Sequence, residues 1–394
     1  MHLDATTMEF TSAGHLILQL PAPLPVRLRY APWEQGMRVS LWTAKDWAEE
    51  RLDPGLPLLQ AAASNPEGTA LQGFVERIPA RPKTSARRYR YLQTSMLQWS
   101  ARTRSGAELL EQAPTLLWLL LDKAIRKQWS DKAIAGMLSR RRADTLLYLT
   151  GRRSEAMVKF LNRVALCQGD LTELHTLKRF LRESNAWQSM THFQRIPIHL
   201  LEVLRRYPEL AGTQLLREIA DLKATHVLDG VTQIRHAFPL WRDTLNLGTL
   251  LNISDAPQAL AHCTSFEAVQ RLHDRWMNRL NRRSHLITAG RNLFPAPPIP
   301  GNAVIHPILT EEDLRAEGVL MNHCVASYAA RVRRGESYLY RLLQPQRATI
   351  EIRLTGSKPV IGQFKLAHNQ APDDASRAVV HQWLREDGHA APDS

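Results

Sequence analysis

The chain is poor in cysteine. Three in 394 residues, Cys167, Cys263 and Cys324, cannot build a disulfide framework, and a reducing compartment is expected. Their spacing fits no zinc template. His262-Cys263 and His323-Cys324 offer four ligand types on paper, but neighbours on a helix diverge, so no metal site is expected. Long apolar runs are also missing. The longest, Leu116–Leu121, is far short of a bilayer span, and the first residues lack a basic stretch followed by an apolar one. The expectation is a soluble, cytoplasmic protein with no membrane partner. There is no phosphate-cradling Gly-rich loop, dinucleotide fingerprint, Gly-x-Ser-x-Gly elbow or His-Glu-x-x-His. This disfavours nucleotide hydrolysis, hydride transfer and the standard serine and zinc hydrolases, and no cofactor is expected.

What is abundant is positive charge. The formal net charge is +13, and residues 77–166 hold 19 basic and 6 acidic side chains, an excess equal to the whole imbalance. Residues 301–394 are neutral, with 11 of each sign. A concentrated basic surface favours polyanions through counterion release. From Arg77 to Arg104 there are eight basic residues and no acidic one. Arg87, Arg88, Arg90, Arg102 and Arg104 interleave there with Tyr89 and Tyr91, and Arg140, Arg141 and Arg142 follow. Arginine for phosphate and aromatic rings for base stacking is the composition of single-strand binders. Nucleic acid is therefore the expected partner. The bland alternative is a solubilising basic face, and a helical middle could equally dock a protein.

The hydrophobic pattern divides the chain. Period-two alternation at His15–Leu20, Val26–Tyr30 and Met37–Trp42, punctuated by proline, predicts strands. Residues 65–106 read as an irregular basic connector. From 107 to 293 apolar residues recur every three or four positions, with Ser130, Ser154 and Ser265 placed as N-caps. No fixed repeat period is evident. Phe294–Gly301 holds four prolines and is expected to be a linker. Thr310 with Asp313 resembles a capping box, predicting a helix to about Arg334, closed by Gly335. Three strands and a helix over Asp373–Arg385 follow. The fold class is α+β, predominantly α-helical. Its parts are a β-rich region at 1–64, the connector, a helical array, the linker, and a helix–three-strand–helix module at 302–388.

Only the last module carries chemically capable residues in an ordered pattern. The stripe Leu314, Gly318, Met321, Val325, Tyr328, Val332 is spaced 4, 3, 4, 3, 4. On one continuous helix Cys324 would sit at the stripe's edge, as a packing residue or, with a lowered pKa and an outside base, a nucleophile. His323 would lie nearly opposite, as a general base, a phosphate contact or a structural histidine. In the strands, Thr349, Glu351 and Arg353 share a face, as do Gln363 and Lys365, while Ile350, Ile352, Phe364 and Leu366 take the other. If the helix meets the polar face, His323, Glu351, Gln363 and Lys365 converge, with Cys324 and Tyr328 beside them. An ordinary solvated Glu–Lys pair is the alternative.

The motif string itself is Gly318-x-x-Met321-x-His323-Cys324-Val325-x-x-Tyr328, then Gly335-x-Ser337-Tyr338, Gln363-x-Lys365 and Asn369-x-x-Pro372. It resembles the PcfJ-like family, over roughly Leu309 to Leu384. That family is named for a gene of conjugative-plasmid transfer clusters and is associated with mobile genetic elements. The resemblance implies a mobile-element context and names no reaction. Either a metal-independent enzyme centred on His323 or a non-enzymatic docking domain is compatible with it.

Overall fold

The computed structural model describes residues 7–22, 25–50, 53–64, 69–235, 237–284, 293–321, 323–356 and 358–386. It is an α+β protein, mostly helical, and divides into two compact units. One comprises residues 1–212 and 216–234; the other comprises 213–215 and 235–394.

The first unit opens with an antiparallel meander of five strands: β1 (Thr7–Phe10), β2 (Leu16–Gln19), β3 (Arg27–Tyr30), β4 (Val39–Trp42) and β5 (Trp47–Glu50). Leu16, Leu18, Leu28 and Tyr30 point to the buried side, as their alternation requires. The segment expected to be irregular is instead helical. It forms α1 (Ala80–Ala86) and α2 (Gln93–Arg102), and α3 (Arg104–Gln112), α4 (Pro114–Arg126) and α5 (Asp131–Leu138) continue the array. The helices α1 and α2 are too short for a clear sequence period, and buried contacts such as Ala86, Met96 and Leu97 hold them. The Ser130 and Ser154 hydroxyls accept from the Ala133 and Met157 amides, as N-caps do.

In the second unit, α6 (Phe238–Leu250) and α7 (Phe266–Ser284) precede a four-stranded antiparallel sheet. Its order is β9 (Lys358–Leu366), β8 (Ala348–Thr355), β7 (Tyr338–Leu342), β6 (Ile305–Pro307). The strand β6 adds one to the three expected; at three residues it shows no alternation. One sheet face packs under α10 (Asp374–Glu386) through Tyr340, Ile350, Ile352, Val380 and Trp383. The Pro-rich stretch, expected as a linker, is part of this layer. Its Ile299 is buried in the core, Tyr340 donates to the Ile299 carbonyl at 2.9 Å, and Trp383 donates to that of Pro300 at 3.0 Å.

The other face is covered by α8 (Glu311–Met321), a 3-10 turn at Cys324–Tyr328 and α9 (Ala329–Arg333). Leu314, Val325, Val332 and Leu339 share a core there, with Tyr328 packed against it. The expected stripe is thus buried, but the helix is not continuous. It stops at Met321, and His323 is extended (φ −144°, ψ 167°), its amide donating to the Gly318 carbonyl at 3.2 Å.

Candidate functional site

That break overturns the expected position of His323. On a continuous helix it would face away from the stripe; the extended backbone turns it inward, where it is 3% exposed. Its Nε2 lies 2.9 Å from Thr349 Oγ1. The Thr349 hydroxyl donates its one proton to Glu317 Oε1 at 2.7 Å, so His323 Nε2 is the donor to Thr349. The tautomer is set through that hydroxyl. Glu317, 1% exposed, is itself held on Oε2 by both Arg341 Nε, at 3.0 Å, and Arg347. Burial pushes the His323 imidazole from 6.5 down to about 4, outweighing the opposing charge of Glu317. At neutral pH it is an uncharged base.

Thr349, Glu351, Gln363 and Lys365 lie on the sheet face beneath it. In the ladder Thr349 pairs with Lys365 and Glu351 with Gln363. His323, Tyr328, Glu351, Gln363, Lys365 and Asn369 line one pocket. The convergence expected from strand periodicity is therefore present. The cavity is small, at ≈ 20 Å³, room for one water molecule. The Cys324 side chain lies outside the described residues.

Glu351 is not a free base. It is 2% exposed, accepts from Ser337 Oγ at 2.6 Å and forms a fork with Arg353 at 2.8 Å on each oxygen; Arg331 approaches to 3.4 Å. A bulge makes the space. The register slips after Glu351, Gly362 is left unpaired, and a Cβ on Gly362 would stand 2.5 Å from Glu351 Oε2. The bulge also returns Ile361 to the α10 side of the sheet.

By contrast, Lys365 and Gln363 have no side-chain hydrogen bond among the described residues. The charge of Lys365 acts on Asp243, from α6. Burial holds the Asp243 carboxyl up at about 6, with Lys365 pulling it down and Glu351 pushing it up. From α7 comes His273, fully buried, with Nδ1 3.3 Å from Asp274 Oδ1 and Nε2 unpartnered among the described residues. Burial lowers its pKa too, and its charge bears on His323. The residues missed from the sequence are thus Asp243, His273, Glu317, Arg341, Arg347 and Gly362, while Ser337 was legible as part of the motif string. Glu317 did leave a signal. It stands three after Leu314 and four before Met321, a charge within an apolar stripe, which requires buried partners.

In the first unit, Arg87, Arg88, Arg90, Arg140 and Arg141 are exposed, and their side chains make no ion pair among the described residues. Three other positions are engaged. Arg102 lies over the Trp99 ring at 4.5 Å and pairs with Asp131; Arg104 pairs with Glu108 at 2.9 Å; Arg142 bonds to Gln112. Tyr89 is unavailable for stacking on a base. It is 1% exposed, hydrogen-bonded to Thr115 at 2.9 Å and edge-on to Trp118, and burial pushes its hydroxyl up to about 12. Tyr91 is half-buried. Alternation of Arg and Tyr in sequence did not place them on one surface, because the Tyr89 ring fills the gap against Trp118.

Among the described residues no helix is long and apolar enough to cross a membrane. Residues 240–380 match the family model described as PcfJ-like protein. The match reaches upstream of the His-Cys motif to take in most of α6 and all of α7, the helices that carry Asp243 and His273. No curated protein and no solved structure matches the chain.

Proposed function

We propose that this chain, PcfJ-like over residues 240–380, binds nucleic acid through its first unit in the cytoplasmic setting of a mobile genetic element such as a conjugative plasmid. The excess of 13 positive charges in residues 77–166 carries the reading. Part of it sits on exposed arginines with no ion pair among the described residues, which suits them to phosphate. The expected contact is to the backbone of the nucleic acid, since no base-reading motif is present. Titration against single- and double-stranded DNA and RNA at several salt concentrations tests it. Each phosphate contact adds about 0.7 to 0.9 to the slope of log K against log salt. Arg87→Ala/Arg88→Ala/Arg90→Ala should flatten that slope by about two. No binding at low salt would remove the reading and leave the arginines as a protein-docking surface.

For the PcfJ-like unit, a pocket of one-water size and carboxylates saturated by arginines favour a docking domain over a metal-independent enzyme using His323. The variant His323→Ala separates them. Loss of the buried imidazole lowers the melting temperature in either case; an enzyme also loses turnover of a bound strand with nucleic-acid affinity unchanged, whereas a docking domain shows no turnover in wild type or variant.

A further inference from the structure

The first unit holds a second feature that its charge does not explain. Between the strands β4 and β5 and the helices α2, α4 and α5 is a cavity of ≈ 380 Å³, within the range of small-molecule sites. Trp99, buried with Arg102 over its ring, and the half-buried Trp129 stand in its wall. Its charges cancel in pairs. Arg38 lies 2.8 Å from Glu49, and Arg102 is bound to Asp131. Its occupant is therefore neutral in the interior and able to lie against aromatic rings.

Two primary amides line the same space. Gln98 spends its Nε2 on the Met37 carbonyl at 2.9 Å, leaving its oxygen; the Gln128 amide is unpartnered among the described residues. Amide groups recognise the edge of a planar heterocycle that carries both donors and acceptors.

A second cavity of ≈ 570 Å³ shares Arg38, Trp99, Arg102 and Asp131 with the first. Arg102 forms the partition between them. It is fixed between the Trp99 ring and Gly36, where a Cβ would fall 2.6 Å from its Cγ. The outer cavity, open to solvent, adds one exposed charge of each sign, Lys132 and Glu34, neither ion-paired among the described residues, so the Lys132 ammonium is free to take an anion.

We infer that this double cavity is a nucleotide site, with the base in the inner chamber against Trp129, its edge on Gln98 and Gln128, and its phosphate in the outer chamber by Lys132. It rests on the nucleic-acid reading only for the source of the nucleotide, either a free monophosphate or a base turned out of a bound strand.

Calorimetric titration of the full chain with adenosine and with the four nucleoside monophosphates tests the site. AMP should bind more tightly than adenosine, and Lys132→Ala, at an exposed position, should erase that margin. The variant Trp129→Ala should weaken AMP by about tenfold, the effect of losing one stacking ring. A labelled single strand identifies the source. Displacement by AMP assigns the chamber to a base of the strand. AMP binding with no strand binding assigns it to free nucleotide and refutes only the nucleic-acid reading. Strand binding indifferent to both substitutions, with no binding of any monophosphate at millimolar concentration, would overturn the site and leave the nucleic-acid reading standing. Equal AMP affinity in wild type and both variants would overturn it as well.

Discussion

Acid should act on the second unit through two groups of opposite sign. His323 is held at about 4 in the fold and returns to 6.5 when unfolded. The unfolded chain therefore takes up this proton first. The stability it represents is complete above 6.5 and drains away as the pH falls toward 4. Between pH 7 and 4.5 the loss is about 2.5 kcal/mol. Asp243 does the reverse. Its carboxyl is held at about 6 against an ordinary 3.8, so the folded state binds that proton first. Stability is gained as the pH falls through 6, by about 2 kcal/mol over the same window. His273 adds to the histidine side. Urea unfolding at pH 7, 5.5 and 4.5, comparing wild type with two isosteric variants, separates the terms. The variant His323→Gln, which keeps a donor for Thr349, should gain stability on acidification relative to wild type. Asp243→Asn should lose more than wild type. Curves for His323→Gln and wild type that stay parallel from pH 7 to 4.5 would refute the burial of an uncharged His323, and with it the helix break that puts it there.

Three further outcomes follow from the same contacts. Glu317→Ala removes a partner from Arg341, Arg347 and Thr349, and should cost about 3 kcal/mol in denaturant unfolding; Arg341 keeps Asp313, and both arginines are about a quarter exposed and reach water, which limits the loss. Gly362→Ala sets a methyl against the Glu351 carboxylate and should cost about 1–3 kcal/mol, read as a lower unfolding midpoint. Tyr89→Phe removes the bond to Thr115 and should cost about 1 kcal/mol while leaving nucleic-acid affinity at its wild-type value.

Much of the second unit was legible because strands carry their faces in their alternation. Glu351, Gln363 and Lys365 could be placed on one side and Ile350, Ile352, Phe364 and Leu366 on the other, and the ladder agrees. Caps were legible for a similar reason. Thr310 Oγ1 accepts from the Asp313 amide and donates to the Asp313 carboxylate, both within one turn, so a few residues suffice to see the cap. The failures have a common cause. Helical periodicity was extrapolated past Met321, across an Asn at 322, a residue type that commonly ends helices. The apolar spacing continued after the break, because a 3-10 turn and a short helix bury the same residues, and so it hid the change in backbone. His323 was assigned to the wrong side as a result. Tyr89 was misread for a related reason. A tyrosine among arginines looks the same in sequence whether its ring stacks on a ligand or fills a gap against Trp118.

By itself the sequence determined the class of fold, the strand faces, the caps, the basic segment and the PcfJ-like motif, all features written within a few residues of one another. The tertiary structure alone decided which charges are free. Glu351 and Lys365 look alike as residues of one polar face; arginines at 331 and 353 and the bulge at Gly362 close the first, while the second, without an ion pair among the described residues, acts on Asp243, more than a hundred residues upstream. Such distant pairing depends on how layers pack and on the cost of burying an unpaired charge, and no local pattern in the chain names the partner.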